Sequence, residues 1–232
     1  MILCLETATP TCSIALVDKG KVISIRESHD GQNHAEKITV FIDEVMKETG
    51  ACYSQLDAIA VSKGPGSYTG LRIGVSTAKG LCYAIDRPLI ATDTLQAMAY
   101  GAAAIIADKI KENDLYCPMI DARRMEVYTA IFDSKLIKIK DTEAVIIDEH
   151  SFSELRKKHH LYLMGDGADK LGDIFSNNDS ISVIKNFHCS AGHQAQLATE
   201  ALKNKCFVDV AYFEPYYLKD FVPGIPTVKG LK

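Results

Sequence analysis

The chain has 232 residues, 47% hydrophobic and 24% charged, an ordinary globular composition that can bury the core of one large domain or two small ones. Its 26 basic and 30 acidic residues give a net charge of −4, unlike the basic surface of a protein that grips nucleic acid unaided. Seven cysteines, an odd number with no Cys-x-x-Cys spacing, argue against both a disulfide framework and a zinc ribbon.

The first residues, Met1-Ile2-Leu3-Cys4-Leu5, lack the basic region and longer apolar core of a signal peptide. No apolar run approaches the roughly 20 residues that span a bilayer, so a cytoplasmic protein with no membrane contact is expected. Cys4, Cys82 and Cys117 lie within apolar stretches and are expected as buried thiols.

Apolar runs predict strands at residues 2–5, 13–17 and 22–26, with Asp18-Lys19-Gly20 as the turn between the last two. A helix is expected over 34–48, where Ile38, Phe41, Ile42, Val45 and Met46 repeat at i, i+3, i+4, i+7 and i+8. After a strand at 56–61 comes the run Lys63-Gly64-Pro65-Gly66-Ser67-Tyr68-Thr69-Gly70-Leu71-Arg72-Ile73-Gly74, leading into a helix over 71–85. A strand at 88–91 and an alanine-rich helix over 94–107 complete a βββαβαβα half. The second half repeats this loosely. Strands are expected at 117–120, 127–132, 136–140, 145–147, 161–164 and 182–184, and helices near 152–158, 168–175 and 191–202. Charge and Asn113-Asp114 alone mark the boundary at 109–115, so two lobes in contact are expected, 1–110 and 111–221, followed by an extended or disordered tail over 222–232.

The glycine-rich run has two readings. Gly64, Gly66, Ser67 and Thr69 can form an anion or nucleotide cradle where helix N–H groups lack internal partners, or a tight turn with Ser67 or Thr69 as the helix cap. It is neither a dinucleotide fingerprint, since Thr69 stands where the third glycine belongs, nor a P-loop, since no Gly-Lys-Ser/Thr triplet exists. Gly70, Gly74 and Ala78 then recur every four residues, with Gly80 and Ala84 on a neighbouring line, a small-residue strip that lets another helix come close.

Other polar residues carry plainer readings. Glu6 at a strand end reads as a solvated turn residue, with contact to a phosphate or magnesium shell as the sharper reading. His34 reads as capping or surface, and His159-His160 as the basic end of a helix. His188 and His193 are five apart and share no helix face, so Ser190 as a helix cap is preferred to a metal site. Asp121-Ala122-Arg123-Arg124 reads as a turn with an ion pair, or as a site for an anionic partner. No nucleophile or carboxylate pair has an activating motif, so neither catalytic residues nor a metal site are expected.

These residues resemble the TsaB (YeaZ) family of tRNA threonylcarbamoyladenosine biosynthesis proteins. The resemblance is carried by Ile2-Leu3-Cys4-Leu5-Glu6-Thr7-Ala8, by Cys12-Ser13-Ile14-Ala15-Leu16, by His34-Ala35-Glu36, by the glycine-rich run to Gly74, by Ala78-Lys79-Gly80-Leu81, and by Pro215-Tyr216-Tyr217-Leu218-Lys219, where lysine replaces the family's arginine. It implies an α/β, actin-like and Hsp70-like ATPase (ASKHA) fold of two related lobes with mixed sheets flanked by helices. It also implies a non-catalytic subunit needed to attach a threonylcarbamoyl group to adenosine beside the tRNA anticodon, working with the catalytic paralogue TsaD and the ATPase TsaE. TsaD-like chains carry His-x-x-x-His after the strand that follows the glycine-loop helix, and here Thr94 and Met98 stand at those positions, neither a normal iron or zinc ligand.

From the resemblance follow further expectations. Ile38, Phe41, Ile42 and Val45 with Gly70, Gly74 and Ala78 form the face that docks TsaD, or a second copy of this chain in isolation. No cofactor is required, ATP or ADP can sit at a subunit interface, and tRNA is met only through the complex. The competing function is a small-molecule kinase of the same fold using ATP, for which Glu6 would have to stand in for the usual first-loop aspartate; a protease related by name is the third.

Overall fold

A computed structural model describes residues 1–31, 33–171, 174–175 and 178–219. The expected tail over 222–232 lies outside the described residues. The first half forms β1 (Ile2–Glu6), β2 (Cys12–Asp18), β3 (Lys21–Ser28), α1 (His34–Thr49), β4 (Ala58–Gly64), α2 (Tyr68–Ile85), β5 (Leu89–Asp93) and α3 (Thr94–Ile106). The second forms β6 (Leu115–Asp121), β7 (Glu126–Phe132), β8 (Lys138–Ile146), α4 (Ser153–Arg156), β9 (Leu161–Met164), α5 (Asp166–Asp169), β10 (Ile181–Ile184) and α6 (Ala195–Lys203). Both halves therefore run βββαβαβα.

Their sheets have the same plan. The first is ordered β3-β2-β1-β4-β5 and the second β8-β7-β6-β9-β10, read from the corresponding edge. In each, the first three strands form an antiparallel meander and the last two add in parallel on the far side of the first strand. Lys19 and Gly20, both at positive φ, make the two-residue hairpin between β2 and β3.

Period-two alternation distributes the strands' apolar residues to both faces. Leu3 and Leu5 of β1 meet the buried stripe of α1, Ile38, Ile42, Val45 and Met46, together with Val75 and Ala78 of α2. Ile2 and Cys4 face Ala195 and Ala198 of α6 on the opposite side. The last helices cross over: α3 packs through Leu95, Met98 and Ala99 on Tyr116, Ile120 and Phe132 of the second sheet, whereas α6 packs on the first. A chain division at 110 thus separates the two sheets but not their helical layers.

Four expected elements need correction. The strands expected at 136–140 and 145–147 are one nine-residue strand, β8, at the sheet edge, which runs on through Asp141-Thr142-Glu143 where its register with β7 shifts. The helix expected at 168–175 starts earlier and is a short turn, α5. The helix expected over 191–202 is a 3-10 turn, Ala191–Gln194, followed by α6, with Ser190 capping that turn through Gly192 N–H. No helix among the described residues is long and apolar enough to cross a membrane.

Candidate functional site

A cleft of about 500 Å³ opens between the two sheets. Its first wall is the β1–β2 turn, Ala8, Thr9 and Pro10, with Gly66, Ser67 and Thr69 at the start of α2. The opposite wall is Asp121, Ala122 and Arg123 after β6, with Tyr128 and Asp166, and Tyr217, Leu218 and Lys219 close one side. A smaller cavity of about 290 Å³ lies between the starts of α1 and α2 and shares Ser67 and Thr69 with the first.

The glycine-rich run is shaped first by its own chain. Ser67 N–H donates to Ala8 O at 2.6 Å, and Ser67 Oγ caps α2 by accepting from Gly70 N–H at 3.2 Å. Thr7 Oγ1 donates to Gly70 O at 2.8 Å. A Cβ at Gly66 would overlap Ala8, one at Gly70 would overlap Thr7 O, and one at Gly74 would overlap Thr7 Oγ1. Gly64, at φ +115, lies against the backbone carbonyl of Tyr216. These glycines let the β1–β2 turn and residues 215–219 come close. Gly66, Ser67 and Thr69 border the cleft, while Gly64 is buried outside its lining.

The expected docking face is corrected by the same packing. Ile38, Ile42 and Val45 are at most 3% exposed inside the core, and Gly70, Gly74 and Ala78 are buried against β1 and its turn. Phe41 is half-buried against that core. The two helices place a different set outward: Val40, 50% exposed, on α1, and Arg72, Ser76, Gly80 and Tyr83, the last 88% exposed, on α2. Gly80 has no atom within 4 Å of where a Cβ would stand.

Glu6 is not a solvated turn residue. It is 1% exposed, accepts from Ala8 N–H at 2.7 Å and from the Ser62 hydroxyl, and burial pushes its carboxyl up to about 7. Gln194 completes the network: its Nε2 donates to Leu5 O at 2.9 Å and Ser62 Oγ at 3.1 Å, and its Oε1 accepts from Thr92 Oγ1 at 3.0 Å. Together these bonds fasten β1, β4, β5 and the residue before α6, and the Glu6 carboxyl lies outside the cleft lining. Nothing in the sequence tied Gln194, 188 residues downstream, to Glu6.

His34 neither caps a helix nor stands free. Its Nε2 lies 2.9 Å from Thr9 O and 3.2 Å from Thr11 O, fastening the β1–β2 turn to the start of α1. On the opposite wall Asp121 Oδ1 accepts from Arg123 N–H at 2.8 Å, while its ion pair is with Lys170 rather than with the adjacent arginines. Asp166 Oδ1 accepts from Asp121 N–H at 3.1 Å and Gly167 N–H at 2.9 Å, and burial raises its carboxyl pKa. Thr94 and Met98 are buried, 0% and 1% exposed, Met98 in the second sheet's core, with Asp93 capping α3 through Gln96 N–H at 3.1 Å. Among the described residues no group of three His, Cys, Asp or Glu side chains is placed to hold a metal. Cys4 and Cys117 are fully buried thiols whose pKa burial raises.

The family model described as TsaD, tRNA N6-adenosine threonylcarbamoyltransferase, matches residues 27–222. The tRNA threonylcarbamoyladenosine biosynthesis protein TsaB of Escherichia coli is 33% identical over 230 residues, 95% of each chain. The chain belongs to the TsaB family. The Haemophilus influenzae TsaB is 37% identical over 127 residues, 55% of this chain and 51% of that protein. YeaZ from Pseudomonas aeruginosa, at 23% identity, covers 94% of this chain and 99% of its own with a TM-score of 0.75, so the two-sheet fold is shared.

Proposed function

We propose that this TsaB-family chain is a non-catalytic cytoplasmic subunit of a system that threonylcarbamoylates adenosine beside the tRNA anticodon, and that it docks a TsaD-like catalytic chain, with a TsaE-like ATPase joining. The observation that carries this reading is the outward face of α1 and α2. On α2 Tyr83 stands exposed one helical turn from Gly80, where the backbone is bare, and on α1 Val40 is exposed, so a partner helix can approach α2 closely. The names of the TsaB relatives support the pathway. The non-catalytic role is supported by Thr94 and Met98, buried where TsaD-like chains place metal ligands. The net charge of −4 favours tRNA contact through the partner.

Reconstitution tests the reading. Threonylcarbamoyl transfer to tRNA by the TsaD-like chain with its ATPase should depend on adding this chain, and the isolated chain should neither turn over ATP nor need it for stability. Strong thermal stabilisation by ATP together with turnover by the isolated chain would instead favour the small-molecule kinase, in which ATP occupies the 500 Å³ cleft.

A further inference from the structure

We infer that residues 211–219 act as a releasable strap across the mouth of the cleft, setting how far the two sheets stand apart there and how accessible Ser67, Thr69 and Arg123 are. The segment has no regular secondary structure, yet it is tied at successive points to both lobes. Lys79 Nζ on α2 donates to Ala211 O at 3.0 Å and Phe213 O at 3.1 Å. Tyr216 N–H donates to Lys63 O on β4 at 2.7 Å, in the space left by the bare backbone of Gly64. The Tyr217 ring lies 4.8 Å from that of Tyr68, which the Arg72 guanidinium covers from 4.5 Å. Lys219 Nζ then reaches the second sheet, donating to both carboxylate oxygens of Glu126 on β7 at 2.6 and 2.5 Å.

The strap's strength is uneven, and that makes it releasable. On the first lobe it is held by backbone hydrogen bonds and ring contact, and on the second, among the described residues, by one ion pair, with side chains 48% and 20% exposed. Half-exposed pairs of this kind are weak. The second-lobe end therefore lets go first, taking Leu218 and Lys219 from the cleft lining and leaving the Tyr216 and Tyr217 contacts with the first lobe to open more often. Lys79 lies one helical turn before Tyr83, so the strap's anchor borders the outward face of α2; the inference stands without the docking proposal.

The test is hydrogen exchange on the whole chain in five forms: unaltered, Lys219→Glu, Glu126→Lys, both reversals together, and Tyr217→Ala. Each single reversal should speed exchange at Tyr216 and at residues 66–69 and 121–123 by about three- to tenfold, while β1 and β4 keep their rates. The double reversal should restore protection, and Tyr217→Ala should move the same amides without changing charge. Unchanged exchange at those residues in the single variants, no recovery in the double reversal, or a uniform rise that includes β1 and β4 would each overturn the inference.

Discussion

The hydroxyl of Thr7 occupies the space that a side chain at Gly74 would need. The β1–β2 turn therefore sits directly on α2, with Thr7 Oγ1 donating to Gly70 O one turn earlier. Small residues that would let a second protein approach are here spent on an internal contact. Gly80, two turns along the helix, has open space instead.

Those two glycines should respond oppositely to one methyl group. Gly74→Ala forces the turn or the helix to shift and should destabilise the protein by about 1–3 kcal/mol, the usual cost of overpacking. Gly80→Ala meets nothing and should be neutral or stabilise by about 0.5–1 kcal/mol through helix propensity. Urea midpoints of the two variants check both signs.

Glu6 makes stability depend on pH in the direction opposite to a surface carboxylate. Its folded pKa is raised from 4.5 to about 7, so the native state holds its proton more tightly than the unfolded chain. The associated stability is complete below about 4.5 and lost as pH rises through about 7, with an upper bound of about 3 kcal/mol. Glu6→Gln, which stays neutral, should flatten that slope and unfold at higher urea than the unaltered chain at pH 8.

His193 bends the profile on the acid side. Burial lowers its pKa below 6.5, and its Nδ1 is buried without a hydrogen-bond partner among the described residues, its ring stacked on Phe187. The unfolded chain takes up this proton first, so His193 costs stability as pH falls below about 6.5. An NMR titration of the folded protein should place its midpoint below that value.

Asp93 serves two elements at once. It caps α3 through Gln96 N–H at 3.1 Å, and its Oδ2 accepts from Lys138 on the second sheet at 3.2 Å. Asp93→Ala should cost about 1–2 kcal/mol, chiefly the cap, whereas Asp93→Asn keeps a capping oxygen and should lose less. The ordering of their thermal midpoints is the check.

The repeating order of strands and helices was legible because apolar residues follow the period of each element, as with Ile38, Ile42 and Val45 on α1. β8 was read as two strands because Asp141-Thr142-Glu143 is polar, and period alone does not reveal an edge strand that continues through a register shift. The glycine run announced a close approach but not by what. Thr7 and Gly74 are 67 residues apart, and only the pairing of β1 with β4 brings them together. The cleft escaped for the same reason: Ser67, Asp121 and Tyr217 meet through the repetition of the sheet, not through any local pattern. Glu6 was misjudged because its burial depends on Ser62 and Gln194, each on a different element.

The docking face is tested most directly by Gly80→Arg, titrated against the TsaD-like catalytic chain by calorimetry. Its bare position accepts a side chain without disturbing the fold, so its urea midpoint should be equal to or above that of the unaltered protein. Binding to the catalytic chain should weaken by at least about tenfold, the loss of about 1.4 kcal/mol of association free energy. A stably folded Gly80→Arg chain that binds with undiminished affinity would contradict docking through this face.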